Sequence, residues 1–275
     1  MSTPASTALC LTGADALALV HRISTQFLAD LAPGQARATL FCDFRGRLLH
    51  RAVVAVADDA VWLLRDDAPG AELAAFLDRH VFRDDVRIED RSEALPVGRS
   101  DAPPGLPPGT FESRDGAPAI VQVGDGETLL ALAAPEPRTP DRERARIRSG
   151  RPSHGHEIAE AFTPFEVGLA HEVHLDKGCF TGQEALMRLI TYKSVKRRLA
   201  RLSGAGDAPA VPCDLADGGR AAGVLTSAVA DGGGWIGLAV LRSEVCDPPR
   251  ALLLPDGRET ATVEPLPLTR PLGRG

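Results

Sequence analysis

Three strand-like runs crowd into residues 36–64 with only short turns between them, and this spacing limits the chain more than any other feature. ARATLFC leads into a turn at Asp43 to Gly46, a second run ends in Val53-Val54-Ala55-Val56, and a third covers Val61 to Leu64. A parallel crossover needs a dozen or more residues, so these strands pair antiparallel. Pro69-Gly70 then opens an amphipathic helix, AELAAFLDRHV, and VRIED reads as another strand. Strand-turn-strand, strand, helix, strand describes an α+β fold around a largely antiparallel sheet. Upstream, GADALALVHRISTQFLADL sets Leu17, Val20, Phe27 and Leu31 at helical intervals, which predicts one or two short helices broken near Ser24-Thr25.

The 275 residues are enough for two domains. DAPPGLPPG at 101–109 sustains neither helix nor central strand and marks a subdomain boundary. Strand signals follow at Pro118 to Val123 and Thr128 to Ala133, then a charged segment, DRERARIRSG, and a period-two stretch at Glu172 to Leu175. GDG at Gly124 to Gly126 and DGGG at Asp231 to Gly234 read as hairpin turns, because no helix pattern follows them. After Tyr192 the chain becomes short apolar runs between turn clusters (AAGVLTSAV, WIGLAVLRSEV, RALLLPDGRETATVEPL), as in a small antiparallel barrel or sandwich. The expected division is an α+β region over 1–197, itself in two parts, and a β-rich unit over 198–275.

A formal net charge of -6 argues against a broad nucleic-acid-binding surface. The five cysteines, Cys10, Cys42, Cys179, Cys213 and Cys246, form no CxxC pair and match no zinc or cluster motif, which suits a reducing compartment. The first residues lack a signal-peptide pattern, and no stretch approaches the roughly 18 apolar residues of a membrane span, so the expectation is a cytoplasmic protein without membrane partners.

The densest motif is LDKGCFTGQEALMRL, residues 175–189. Thr181 and Glu184 have capping-box spacing, which predicts a helix start at Thr181, and Glu184 and Arg188 are an i,i+4 pair with the acid toward the N-terminus. Cys179 then lies just before a helix N-terminus with Lys177 nearby, a setting that favours a thiolate. A small buried residue in a tight turn is the competing reading, and both stand on these residues alone.

Other groups read more plainly. His154, His156, His171 and His174 have no accompanying Cys or carboxylate pattern and are expected to be solvated or singly bonded rather than metal ligands. Asp66-Asp67 and Asp84-Asp85 read as turn acids, Ser153 has no nucleophile-elbow sequence, and the basic run Lys193 to Arg201 reads as a solvated junction.

KGCFTGQEALMR resembles the K-G-C-[FY]-x-G-Q-E-x-x-x-R signature of the YgfZ family, relatives of the T-protein (aminomethyltransferase) of the glycine cleavage system. Lys177, Gly178, Cys179, Phe180, Gly182, Gln183, Glu184 and Arg188 match every defined position. RIRSGRPSHGHEI, TPFEVGL, ISTQFLADLAPGQARATLFCDFRGRLL and GVLTSAV are similar to further family blocks, so the likeness covers most of the chain. It implies a T-protein-like (GcvT-like) α+β fold, with ferredoxin-like subdomains around a central pocket and a small C-terminal antiparallel β-barrel. It also implies tetrahydrofolate in the pocket and a role in assembling or repairing iron–sulfur enzymes, with A-type scaffold proteins and client enzymes as partners.

Under that resemblance Cys179 and Lys177 are the reactive pair, with Cys179 a ligand to a transient cluster shared with a partner, because one thiolate cannot hold a cluster alone. Arg148 and Glu166 are the implied cofactor contacts. T-proteins place an acid where this chain has Arg148, and a guanidinium accepts no hydrogen bond, which argues against aminomethyl transfer. A folate-dependent one-carbon transferase is the alternative function.

Overall fold

Antiparallel pairing in chain order is what the short connections around residues 36–64 impose, and the computed structural model has it. The structure describes residues 6–100, 105–123, 127–131 and 139–273. Strands β1 (Thr7–Thr12), β2 (Gln35–Cys42), β3 (Leu48–Val56), β4 (Val61–Arg65) and β5 (Arg87–Asp90) alternate with helices α1 (Ala16–Ile23) and α2 (Gly70–Asp78). Thr39 lies opposite Ala52 and Val54 opposite Leu63. The N-terminal reading becomes one helix that stops at Ser24, with Phe27 and Leu31 in the irregular segment beyond it.

β1 carries no strand assignment in the sequence reading, yet it sits between β4 and β5. Its alternation is the reason: Leu9 and Leu11 join α1 and α2 in one core, while Ala8 and Cys10 face the opposite side. That second face sets the small residues Ala8, Ala36, Ala38 and Ala55 among Val53, Trp62 and Leu64, and another layer packs on it. The layer consists of β6 (Val97–Ser100), β7 (Thr110–Arg114), β8 (Ala117–Gln122) and β9 (Thr128–Ala131), contributing Val97, Phe111, Val121 and Leu129.

β2 and β7 meet at Gln35 and Thr110, so all nine strands form one sheet in the order β5-β1-β4-β3-β2-β7-β8-β9-β6. The sheet curls back on itself, and Arg99 on β6 pairs with Asp66 at the end of β4 at 2.8 Å. Residues 101–104 of the expected boundary, the GDG turn at 124–126, and the last two residues of the strand read at Thr128 to Ala133 lie outside the described residues.

The charged segment after residue 139 is a helix, α3 (Pro140–Ser149), whose ends are written locally. Thr139 Oγ1 accepts from the Arg142 amide, Pro140 takes the first turn, and Gly150 closes the helix in the left-handed region. The period-two stretch read at Glu172 to Leu175 is instead a single 3-10 turn, Ala170–Glu172, followed by an extended segment whose Leu175 amide bonds Leu272 O at 2.9 Å. Polar Glu172 points inward here to satisfy a buried arginine, which mimics a strand's alternation without forming one.

Past helix α4 (Gln183–Thr191), strands β10 (Arg197–Ala205), β11 (Cys213–Asp217), β12 (Arg220–Asp231), β13 (Gly234–Arg242) and β14 (Thr262–Pro265) form a five-stranded antiparallel sheet in the order β11-β12-β13-β10-β14. Leu253 bridges back to Ala216 on its edge strand, and one further turn, α5 (Ser243–Cys246), packs beside it. Gly232 and Gly233, both at positive φ, make the β12–β13 hairpin turn as read. The basic run is less solvated than expected: Arg197 to Arg201 belong to β10, with Arg197 bonded to Glu166 at 2.6 Å and Arg201 to Glu264 at 2.7 Å.

One buried node joins α3 to this second sheet. Arg146 and Glu157, with side chains 5% and 0% exposed, pair at 3.0 Å. Glu157 also accepts from Thr226 and Ser227 of β12 at 2.5 and 2.7 Å, and Arg146 donates to Ser227 Oγ at 2.6 Å. Removing one partner of such a pair leaves an uncompensated buried charge, at a cost of about 3–5 kcal/mol. Arg146→Met is therefore expected to lose about that much stability in urea unfolding, and Arg146→Met combined with Glu157→Leu to recover most of it.

Candidate functional site

A cavity of about 670 Å³ opens where the nine-stranded sheet, the segment after α3 and the C-terminal tail meet. Its apolar walls include Leu31, Val123, Val167, Leu169, Leu199 and Leu266, and its polar side carries Arg51, Glu127, Arg151 and Glu172. Volume and lining fall in the range of small-molecule sites. Sequence reasoning passed over these charged residues because they are scattered over β3, a loop, the α3 exit and a 3-10 turn.

Arg51 organises the polar side. Its Nε donates to both Glu172 oxygens at 2.9 and 3.0 Å, and its Nη2 reaches Glu172 at 2.7 Å and Glu127 at 2.8 Å. Burial alone would raise the Glu127 pKa, but Arg51 and Arg99 outweigh it and hold the carboxyl down at about 2. Glu127 is thus an ion-pair member rather than a proton acceptor.

Behind Arg51 lies a second charged layer. Asp67 accepts from the His154 amide at 3.0 Å, meets His154 Nδ1 at 2.6 Å, and takes the Ser153 hydroxyl at 3.1 Å. Burial opposes ionisation of Asp67, yet the His154 ring and amide together with the Arg99 charge hold it well below the usual carboxylate range. The Arg51 amide donates to His154 Nε2 at 3.0 Å, so both ring nitrogens are engaged. Asp66 and Asp67 are therefore not the turn acids expected: the curled sheet brings Arg99 and His154 onto them, a long-range arrangement that composition does not show. His154 is correspondingly doubly engaged, and His156 bonds Thr226 O at 2.7 Å.

The two expected cofactor contacts lie elsewhere. Arg148 is exposed on α3, bonds Asp231 at 2.7 Å, and does not line the cavity. Glu166 also lies outside the lining: it accepts from Thr163 N at 2.8 Å and Arg197 at 2.6 Å, closing a local turn. The α3 axis turns Arg148 outward, and Val167-Gly168-Leu169, not Glu166, face the cavity.

The KGC loop is a separate construction. Lys177 is 7% exposed and donates to Ser24 O at 2.6 Å and to His21 O, at the exit of α1, with its Nζ 5.4 Å from the Phe180 ring centroid. This anchorage ties its amine to the exit of α1. The capping box does not form either. Helix α4 starts at Gln183, Gly182 precedes it at φ 85°, and no side chain caps it, while Glu184 pairs with Arg188 at 2.5 Å. A Cβ at Gly182 would lie 2.4 Å from Asp43 O, so the β2–β3 turn and the motif meet backbone to backbone, and the helix begins beyond that contact. Gln183 Nε2 ties back to Leu175 O at 2.8 Å, and Phe180 is buried.

Cys179 remains exposed, whereas Cys10, Cys42 and Cys246 are buried and Cys213 is half-buried. Burial pushes those four thiols up. Among the described residues no three His, Cys, Asp or Glu side chains converge to hold a metal ion. Among the same residues no helix is long and apolar enough to cross a membrane.

No protein-family model matches the chain. A chloroplastic transferase candidate from Arabidopsis thaliana is 27% identical over 273 residues, covering 85% of this chain, which in turn spans 63% of that protein's length. An aminomethyltransferase from Streptomyces avermitilis is 27% identical over 263 residues, covering 80% of this chain and 71% of its own. The crystal structure of the glycine cleavage system aminomethyltransferase T from Bartonella henselae superposes with a TM-score of 0.74 over 98% of this chain and 89% of that one, at 17% identity. The chain is homologous to aminomethyltransferase-like proteins and has their GcvT-like fold.

Burial lowers the Lys177 pKa from its ordinary 10.5 to about 7. The unfolded chain then binds more protons than the folded one between those values, so stability rises as pH increases from about 7 toward 10.5. Urea midpoints measured across that window are expected to climb in the wild type and to lose this part of the slope in Lys177→Met.

Proposed function

We propose that this protein is a tetrahydrofolate-associated factor of the YgfZ type for assembly or repair of iron–sulfur enzymes, with Cys179 as its functional thiol. The observation that carries the reading is how the KGC loop spends its residues. Lys177 and Gln183 are tied to main-chain carbonyls, Phe180 is buried and Gly182 is packed on the Asp43 carbonyl, yet Cys179 faces outward. A loop fastened at so many points that presents one bare thiol suits chemistry on a partner. A cluster needs several thiolates, so an A-type scaffold or client enzyme supplies the rest.

The cavity fits a folate-sized ligand: its volume is adequate and its apolar walls suit a flat ring. Leu31, Leu199 and Leu266 would hold such a ring, and bound tetrahydrofolate would supply a carrier for one-carbon units. In this reading residues 1–197, with an internal boundary near 101–109, form most of the folate region of a cytoplasmic protein, and 198–275 close as a barrel that adds Leu199 and Leu266 to the cavity wall.

The alternative, a folate-dependent one-carbon transferase, draws on the aminomethyltransferase relatives. Proton transfer in such a reaction calls for an available base beside the ligand. Among the described residues both cavity carboxylates, Glu127 and Glu172, are held by Arg51, and the cavity's imidazole, His171, lies 3.7 Å from Glu172.

Cys179→Ser is an exposed change expected to alter stability by no more than about 0.5 kcal/mol. Mixed anaerobically with an A-type scaffold and iron and sulfide, the wild type is expected to develop a shared cluster absorbance that Cys179→Ser lacks. Expressed in a deletion strain, Cys179→Ser is expected to fail to restore iron–sulfur enzyme activity. Full restoration by Cys179→Ser removes the thiol from the function, and folate turnover that survives in Cys179→Ser establishes the transferase.

A further inference from the structure

We infer that Arg151 is a carboxylate-recognition site in the cavity wall, so that the cavity takes a ligand with an apolar planar body and a carboxylate group. This rests on, and deepens, the folate reading of the same cavity. A guanidinium offers five N–H donors in a planar fork that matches a carboxylate two bonds at a time. The other cavity guanidinia are already committed: Arg51 to Glu127 and Glu172, and Arg37 to Phe27 O and Asp30.

Arg151 is different. Its side chain is 21% exposed, and among the described residues the one carboxylate within ion-pair range is Asp66 at 3.9 Å, beyond hydrogen-bonding distance. Asp66 is itself bonded twice by Arg99, at 2.8 and 2.9 Å. Among the described residues none accepts a hydrogen bond from the Arg151 guanidinium, so its donors are left to solvent or to a ligand in the cavity.

Its mounting is rigid. The Arg151 amide bonds Arg146 O at 3.1 Å, and its carbonyl accepts from Arg146 Nη1 at 2.7 Å, so both backbone groups belong to the Arg146 node. Gly150, just before it, is left-handed, and a Cβ there would lie 2.5 Å from Leu266. Carbonyls in the last turn of α3 would repel an anion, but Arg146 O, Ile147 O and Arg148 O are capped by Ser149 Oγ, the Gly150 and Arg151 amides, and Arg201. The charged groups facing Arg151 are Arg99, Asp66, Glu127 and Asp67, and each carboxylate among them has a closer partner of its own.

The test is calorimetric titration of the full chain with three probes: 5-formyltetrahydrofolate, p-aminobenzoylglutamate, which keeps the carboxylates without the pterin, and 6-methyltetrahydropterin, which keeps the pterin without them. Arg151→Gln is expected to weaken the first two by about 10- to 100-fold and the pterin by less than about twofold, as loss of hydrogen bonds to a charged group requires. Arg148→Gln, off the cavity, is expected to change none.

Binding of p-aminobenzoylglutamate that needs Arg151, without binding of the folate, upholds the carboxylate site and overturns the folate reading. Folate binding that is equal in wild type and Arg151→Gln overturns the site and leaves the folate reading standing. A pterin loss as large as the folate loss assigns Arg151 to the ring and overturns the carboxylate, and absence of binding for all three probes overturns both. Should Arg151→Gln unfold, Arg151→Lys keeps the charge and is expected to retain binding of p-aminobenzoylglutamate that weakens with salt; salt-independent binding there overturns the site.

Discussion

The ion pair between Arg146 and Glu157 is the interaction on which the rest of the structure depends. Two nearly inaccessible charges must satisfy each other, and the leftover valences of both are taken by the Thr226 and Ser227 hydroxyls, Glu143 and the Arg151 carbonyl. A buried pair seldom adds much stability over an apolar replacement, but it is demanding about geometry. The arginine comes from α3, the glutamate from the loop that follows, and the hydroxyls from β12, so the second sheet can seat against α3 in one orientation only.

That orientation decides what the cavity is. Leu199 and Leu266 come from the second sheet and the segment leaving it, while Arg51 and Glu127 belong to the first sheet and its connections, and the cavity opens between these surfaces. Its electrostatics then follow from pairing. Glu172 and Glu127 are paired with Arg51, and Asp67 with His154, so the charged groups around the cavity are bound to one another.

Local rules recovered the elements that local chemistry writes. The β2–β3–β4 meander, α2 and the Gly232-Gly233 hairpin were legible because turn residues and periodicity agree there. α3 reads in the sequence only as a charged segment: its local caps, Thr139, Pro140 and Gly150, flank an apolar stripe that consists of little more than Ile147, too weak a periodicity to mark a helix. β1 was missed because six residues of alternation near a terminus carry little signal. The capping box at Thr181 failed for a nonlocal reason, since the backbone of the distant Asp43 to Gly46 turn occupies the space and forces Gly182 left-handed. The same holds for the charged layer behind Arg51: Asp66 and Asp67 look like turn residues until the curled sheet brings Arg99 and His154 to them.

The motif and the cavity, separate in sequence, are joined by one short segment. Lys177 bonds the carbonyls of His21 and Ser24. The next residue, Thr25, donates its hydroxyl to Glu172 O at 2.7 Å and accepts the His174 amide at 2.9 Å, and Gln26, which lines the cavity, bonds His171 O at 3.3 Å. The exit of α1 is thus held by the KGC loop on one side and by the Glu172 turn on the other. Arg51 holds the Glu172 carboxylate and Thr25 holds its main-chain oxygen, so the same turn is bonded from the cavity side and from the α1 side. The exposed thiol two residues past Lys177 thus shares the α1 exit with the cavity as a common support, while lying outside the cavity lining itself.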